Sequence, residues 1–310
     1  MPTRPLRLLF AAVALAPLLA ACDIRVNEGG GVSVGVSRGR ASDEWTRTYT
    51  VAKGGRFEIA NENGPIEVHG TAGPQITVKA YREVSDRSDD EARARLTKLE
   101  MREEVTPDRV QVRAETGETG SFGRNRGVTI RYEVQVPAGL TVGFKTQNGA
   151  VRVTGVDGRI TAGTTNGTVT GRGVSGAVQA STVNGSVQMD LAGVSGDVRL
   201  TTVNGAIRLE LPATVDADLD ATTVNGGVSV DDKLGLANVS GNRSGFGPTT
   251  NISGRLNKGG AKVSLQTTNG GVRVAPRGSV GFEDDDERGE RGERAARGRI
   301  GRRGRPPGEF

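Results

Sequence analysis

One nine-residue phrase recurs six times between Lys145 and Val274, and its spacing is the strongest constraint on the fold. The copies read KTQNGAVRV, GTTNGTVTG, STVNGSVQM, TTVNGAIRL, TTVNGGVSV and QTTNGGVRV. Asn-Gly pairs in the first three copies are 18 residues apart, with a weaker glycine-centred copy such as VSGAVQA at 174–180 between them. A fixed period of about 20 residues is typical of a solenoid whose units stack around a shared core.

Apolar and polar residues alternate after the Asn-Gly pairs. Val187 and Met189, for example, alternate with Ser186 and Gln188. Such alternation, with β-branched residues, indicates a strand with one buried face, and glycine supplies the backbone freedom that a tight corner requires. Adjacent Asn-Gly turns also suit antiparallel hairpins, but the regular return favours parallel coils. We therefore predict an all-β fold, a parallel β-solenoid or stacked-sheet repeat, with an irregular N-terminal cap containing one short helix.

The repeats predict two sets of positions. The apolar set should point into the core and consists of Val151, Val153, Val169, Val178, Val187, Met189, Val198, Leu200, Ile207, Leu209, Val228, Val230, Val272 and Val274. The Asn-Gly set should form a structural ladder of turns. Its members are Asn148 and Gly149, Asn166 and Gly167, Asn184 and Gly185, Asn204 and Gly205, Asn225 and Gly226, and Asn269 and Gly270. The asparagines then either bond to one another in an internal ladder or form an exposed comb for a glycan. The glycine next to each asparagine favours the structural role, because glycine is needed for a backbone conformation and not for side-chain chemistry.

These repeats, closing on LNKGGAKVSLQTTNGGVRV at 256–274, resemble the bacterial putative-adhesin family with a toast-rack β-solenoid. The resemblance covers roughly residues 50–276. It implies the solenoid fold and a location in the cell envelope. It carries over no catalytic motif. The function that we favour is a non-enzymatic envelope protein, adhesin-like or scaffolding, that presents a long polar β-surface to another macromolecule.

The first residues have the pattern of a bacterial export signal. MPTRPLRLLFAAVALAPLLAAC joins a basic start to an apolar stretch too short to span a bilayer, and its Leu-Ala-Ala-Cys end resembles the lipobox of lipoproteins. We expect residues 1–21 to be removed and Cys22 to carry lipid that anchors the chain to the envelope membrane. Asp23 resembles an inner-membrane retention signal, but that rule varies between bacteria, so inner and outer membrane both stay open. Cys22 is the single cysteine, which excludes an internal disulfide.

Composition divides the mature chain into four predicted parts. The first part is rich in glycine and serine, which suggests a flexible tether. The second is a β region with more aromatic residues, which we expect to cover the open end of the solenoid. The repeats follow, and the chain ends in an acidic block and an arginine-rich block that are too polar to order themselves. The parts are the tether at 22–43, the N-terminal cap at 44–140, the β-solenoid repeats at 141–276 and a disordered charged tail at 277–310.

Two segments break the β pattern. SDRSDDEARARLTKLEM at 85–101 is the one helical candidate, with Ser88 as the N-cap and acidic residues in its first turn. Its Ala92, Leu96 and Leu99 share one face. Residues 233–260 interrupt the repeat rhythm with many Gly, Asn and Ser, and we expect a loop-rich coil or insertion there.

The residues offer little for catalysis, and we predict no enzyme activity, no cofactor and no metal site. His69 is the single histidine, so it has no second histidine for a triad or a metal cluster. The alternative function is a carbohydrate-active enzyme that uses carboxylates on the solenoid face. Asp190, Glu210 and Asp231 fall at equivalent positions and would line up about 4.8 Å apart per strand, with Arg208 beside them. We take these four as a candidate surface site for catalysis or binding.

The charge balance does not favour specific nucleic-acid binding. The chain has a net charge of +5 and a pI of about 9.6, but the tail from Glu283 carries eight acidic and eight basic residues. Between Lys145 and Val280, Phe246 is the single aromatic residue, so the repeats have few side chains for base stacking. The favoured partners are the membrane, through the lipidated N-terminus, and an unidentified envelope protein or glycan.

Overall fold

The computed structural model describes residues 22–26, 32–36, 39–116, 127–241 and 249–279. Within these ranges the chain is almost entirely β-structure with one α-helix, which confirms the predicted fold class. The predicted signal peptide and nearly all of the predicted tail lie outside the described residues. No helix in the described ranges is long and apolar enough to cross a membrane.

The described part of the N-terminal region contains nine strands and the helix. They are β1 (Cys22–Val26), β2 (Val32–Val36), β3 (Gly39–Tyr49), β4 (Arg56–Ala60), β5 (Ile66–Thr71), β6 (Ile76–Asp86), α1 (Asp89–Thr97), β7 (Leu99–Val105), β8 (Arg109–Thr116) and β9 (Val128–Pro137).

The repeat region, as described over 140–241 and 249–276, adds twelve strands and one 3-10 turn. They are β10 (Leu140–Asn148), β11 (Val151–Thr154), β12 (Asp157–Asn166), β13 (Val169–Asn184), β14 (Val187–Asn204), β15 (Ile207–Leu211), β16 (Ala217–Asn225), β17 (Val228–Val230), the turn Asp232–Leu234, β18 (Ala237–Ser240), β19 (Thr250–Leu256), β20 (Ala261–Asn269) and β21 (Val272–Pro276).

The repeats stack in two layers of parallel, in-register strands. In sheet A, β10, β12, the C-terminal halves of β13 and β14, β20 and β16 follow one another. In sheet B, β11, the N-terminal halves of β13 and β14, β15, β21 and β17 do the same. β13 and β14 bend from one layer into the other, so each unit contributes a strand to both.

Alternate residues of both layers point into one apolar core. Most residues of the predicted apolar set are at most 2% exposed, as the strand alternation requires. Val228 and Val230 are half-buried, because they belong to β17, a three-residue strand at the end of sheet B. The core is therefore shared along the whole stack.

The order of the strands in space differs from their order in the chain at the C-terminal end. β20 pairs with β14 on one side and with β16 on the other, so the last repeat inserts before the fifth. β19 then pairs antiparallel with β16, and β18 with β19. Part of the segment 233–260, predicted as a loop-rich coil or insertion, thus forms the two strands that cover the end of sheet A.

Parallel stacking begins before the predicted boundary at 141. β4 pairs in parallel with β8 and β10, and β5 pairs in parallel with β9 and β11. The cap is the antiparallel remainder, in which β6 joins β3 to β9 and β7 pairs with β8. The structure also places strands in the predicted tether, since β1 pairs with β2 and β3 begins at Gly39. The alternating valines of β2 were the sequence signal for this hairpin.

The helix α1 packs at the cap as the sequence predicts. The Ser88 side chain accepts a hydrogen bond from the Glu91 amide at 3.3 Å, and Ala92 and Leu96 are buried. Asp86, just before the helix, accepts from the Arg87 amide at 2.8 Å and from the Arg95 guanidinium at 3.0 Å. These bonds hold the pKa of the Asp86 carboxyl below its usual value.

Candidate functional site

Among the described residues, seven asparagines form a continuous ladder along one corner of the stack. From the second member onward, each Nδ2 donates to the Oδ1 of the preceding asparagine at 2.7 to 2.9 Å. Asn63 adds a first member before the six predicted ones, and those six are exposed, so the ladder lies on the surface and is not internal. In spatial order the members are Asn63, Asn148, Asn166, Asn184, Asn204, Asn269 and Asn225.

A row of buried threonines fixes this corner from inside. The hydroxyl of Thr182 donates to the Gly167 carbonyl of the preceding repeat at 2.9 Å, and Thr164 makes the same bond to Gly149. The equivalent threonines bond in the same way at 2.8 to 3.1 Å, namely Thr146, Thr202, Thr223 and Thr267. The threonine of each repeat thus satisfies a corner carbonyl that would otherwise lack a partner.

The corner glycines lie against one another from repeat to repeat. A Cβ on Gly185 would meet the Gly167 carbonyl oxygen at 1.9 Å, and the φ of Gly185 is 155°. Only glycine permits this close approach of two backbones. The Asn-Gly pairs therefore have a structural role, and they also set the spacing of the surface above them.

A row of outward residues runs beside the asparagine ladder. Val183, Val203 and Val224 are each 40 to 41% exposed although they are apolar. Gln147, Thr165 and Thr268 occupy the equivalent positions in the other repeats and are also exposed. We call this row together with the asparagine ladder the corner surface. Each inner asparagine uses one N–H and one oxygen lone pair in the ladder, so one of each faces solvent in every repeat.

The structure brings Asp190 and Glu210 together but separates Asp231 from them. Asp190 lies opposite Glu210 in the pairing of β14 with β15, and Glu210 lies opposite Ala275 of β21. Asp231 follows β17 on the far side of β21 and accepts from the Lys233 amide at 3.0 Å. The predicted row of three carboxylates is therefore interrupted, because β21 inserts between β15 and β17.

The two neighbouring carboxylates already have structural partners. Asp190 binds the Arg277 guanidinium at 2.5 and 2.9 Å and the Gly173 amide at 2.9 Å, and it raises the pKa of Arg277. Glu210 is 3% exposed and accepts from the Gly278 amide at 2.8 Å. The chain after β21 thus covers a face that was predicted to be open. Neither carboxylate is presented to a ligand in a cleft.

Arg208 remains an exposed surface residue. It lies opposite Gln188 and Arg273 in sheet B and is not part of a carboxylate row. His69 is also exposed and lies opposite Gln135 and Thr154. Within the described residues no three His, Cys, Asp or Glu side chains come close enough to hold a metal ion.

A basic groove on the outer face of sheet A was not predicted. It encloses about 380 Å³ over Gly143, and it is lined by residues of β4, β8, β10 and β12. Its basic side chains come from distant parts of the chain, so no local motif marks them. The alternation identifies each as outward-facing, but only the strand pairing places them side by side. We call this feature the Gly143 groove.

The profile of one protein family, Toastrack DUF4097, matches residues 56–275. The chain belongs to this family. The matched segment begins with β4 and ends within β21, so it contains the parallel stack and excludes the β1–β2 hairpin. No curated protein is significantly similar to the chain.

Three crystal structures are similar to this Toastrack chain over 76% of its length. A putative cell adhesion protein from Clostridium sporogenes is 11% identical and covered over 100% of its own length, with a TM-score of 0.44. A putative adhesin from Bacteroides fragilis is 9% identical and covered over 97%, with a TM-score of 0.27. A putative lipid binding protein from Parabacteroides distasonis is 6% identical and covered over 97%, with a TM-score of 0.22.

Proposed function

We propose that this Toastrack protein is a non-enzymatic binding protein of the bacterial cell envelope, anchored through lipid on Cys22. It presents a rigid β-surface to another envelope macromolecule, a protein or a glycan, in an adhesin-like or scaffolding role. The corner surface is the observation that carries this proposal.

The corner surface has the properties of a binding face for an extended partner. It offers one free donor and one free acceptor per strand, about 4.8 Å apart along the stack. Its exposed valines add apolar contact area next to these polar groups. Because the threonine and asparagine bonds fix its geometry, little conformational entropy is lost when a partner binds.

The engaged carboxylates do not support the alternative of a carbohydrate-active enzyme. Such an enzyme needs two carboxylates facing a cleft about 5 to 10 Å apart. Asp190 is bound by Arg277, and Glu210 is buried beneath Gly278. We therefore favour binding without turnover.

Capture of envelope material by the immobilised mature chain tests the proposal. We compare the wild type with a corner variant that carries Val183→Lys, Val203→Lys and Val224→Lys. The matched control carries Thr170→Lys, Gln188→Lys and Ser229→Lys, which are outward positions on sheet B. All six changes face outward, so the fold should tolerate them.

We expect the wild type and the control to capture a protein or glycan from a solubilised envelope fraction and the corner variant to lose it. Equal capture by both variants would show that the corner surface is not the binding face. Shortening of a captured glycan during incubation, followed by mass spectrometry, would instead support the enzyme alternative.

A further inference from the structure

The Gly143 groove concentrates positive charge on sheet A. Arg56, Arg109, Lys145 and Arg159 surround it, and Glu58 is the one carboxylate among its described lining residues. The strand pairing places Arg109 beside Arg56 and puts Arg159 two strands beyond Arg56, about 10 Å away. The groove thus carries four positive charges against one negative charge.

Two of the four basic side chains are uncompensated. Arg109 donates to Glu58 at 2.7 and 3.1 Å, and the nearest Arg56 nitrogen is 3.6 Å from the other oxygen of the same carboxylate. Lys145 and Arg159 are exposed and have no hydrogen-bonded or ion-paired partner in the described part of the chain. Glu58 therefore neutralises part of the charge of Arg109 and Arg56. It leaves Lys145 and Arg159 available to an anion.

The floor of the groove is formed at Gly143, with a threonine hydroxyl on the neighbouring strand. Gly143 has no side chain, and the Glu58 side chain leans over it, since a Cβ on Gly143 would meet the Glu58 Cγ at 3.2 Å. The half-buried Thr141 lies between Arg56 and Arg159, and the half-buried Thr161 lies beside Gly143. Both have hydroxyls that can donate. Basic side chains and hydroxyl groups that line one groove are the donors that bind phosphate oxygens.

We propose that the Gly143 groove binds a phosphoryl group, carried by a phosphodiester polymer or by a lipid headgroup. A single carboxylate is already present in the groove as Glu58, and two basic side chains remain unpaired beside it. A phosphodiester has the single negative charge of a carboxylate, but its four oxygens point in tetrahedral directions, so Lys145, Arg159 and the threonine hydroxyls can donate to it together. This site lies on the outer face of sheet A and is separate from the corner surface of the proposed function.

The test uses the mature chain, residues 22–310, with Cys22→Ala in every variant to avoid lipid. The groove variant carries Lys145→Gln and Arg159→Gln. The matched control carries Arg208→Gln and Arg273→Gln, which remove the same charge from exposed arginines on sheet B. Their side chains have no partner among the residues that the structure describes. The arginine-rich tail is present throughout, so differences between variants report the groove.

Fluorescence anisotropy with labelled linear polyphosphate measures binding at low salt. The groove variant should bind about tenfold or more weakly than the wild type, since one hydrogen bond to a charged group already accounts for that factor. The control should stay within about twofold of the wild type. Glu58→Gln should bind more tightly, because it frees Arg109 and Arg56. An unchanged thermal unfolding midpoint would show that this gain comes from the folded groove.

The remaining arms identify the source of the phosphoryl group. Sedimentation with phosphatidylglycerol vesicles, compared with phosphatidylcholine vesicles, reports a lipid headgroup, and polyphosphate reports a soluble polymer. Binding of the wild type to either probe, with weaker binding of the groove variant, supports the site. Equal affinity of the groove variant and the control overturns it, and so does preferential binding of the carboxylate polymer polygalacturonate. The corner variants test the proposed binding function in a separate experiment. A negative result with the groove variant therefore overturns the phosphoryl site and not the proposed binding function.

Discussion

Asn269 donates its side-chain amide to Asn204 at 2.8 Å, and Asn225 donates to Asn269 at 2.7 Å. The last copy of the repeat therefore lies between two copies that precede it in the chain. This insertion continues the ladder without a gap. It also determines which carboxylates and which arginines become neighbours on sheet B.

A cysteine pair tests this insertion. With Cys22→Ala as the background, Asn204→Cys together with Asn269→Cys should form a disulfide, because adjacent in-register strands place the two Cα atoms about 4.8 Å apart. Asn204→Cys together with Asn225→Cys is the control, with two strand spacings between the residues. Non-reducing electrophoresis measures the cross-link. A disulfide in the control pair alone would contradict the strand order.

Gly185→Ala should destabilise the stack strongly. The new Cβ would meet the Gly167 carbonyl oxygen, and alanine disfavours the local φ of 155°. We expect the free energy of unfolding to fall by about 3 kcal/mol or more. Gly227→Ala is the control, because a Cβ there meets no atom within 4 Å. It should change the free energy of unfolding by about 0.5 kcal/mol or less in urea titrations. Similar losses in both variants would argue against close glycine stacking.

Thr182→Val should cost about 1 to 2 kcal/mol of unfolding free energy. The substitution keeps the shape of a buried side chain but removes the 2.9 Å bond to the Gly167 carbonyl. Thr165→Val, at an exposed position of the neighbouring repeat, should have little effect. Chemical denaturation of both variants measures the difference. If Thr165→Val were the more destabilising change, the inner threonine row would not be what fixes the corner.

Asp86→Asn should destabilise the cap at neutral pH but not in acid. The Arg87 amide and the Arg95 guanidinium lower the pKa of folded Asp86. The stabilisation is therefore present above the unfolded pKa, about 3.9, and is lost as the pH falls through the lower folded pKa. Unfolding free energies of wild type and variant should converge on acidification. Asp90→Asn, at a side chain that is 93% exposed, is the control and should differ little at any pH.

Cys22→Ala should release the protein from the membrane fraction. The proposed lipid on Cys22 is the expected anchor, and two or more acyl chains bind a bilayer firmly. Asp23→Asn is the control, since it leaves Cys22 unchanged and should stay in the membrane fraction. Fractionation followed by immunoblotting measures both. Unchanged membrane association of the Cys22→Ala protein would exclude lipid on Cys22 as the anchor.

The sequence alone determined the class of fold and the content of the core. Strand alternation is a local property, so it assigned Val151, Met189 and Leu209 to the interior before any pairing was known. The Asn-Gly spacing identified the corners, because only glycine allows the backbones of successive repeats to meet there. The N-cap at Ser88 was likewise readable, because its signals lie within one turn of helix.

The tertiary structure alone decided which surface residues become neighbours. Every repeat has similar edges, so the local pattern of β20 fits beside β14 as well as beside β16, and sequence order suggested the wrong neighbours. That choice buried Glu210, separated it from Asp231 and left Asp190 paired with Arg277. The same kind of long-range pairing assembled the Gly143 groove from four strands. Contacts between distant segments depend on the energy of the whole stack, and no short stretch of sequence encodes them.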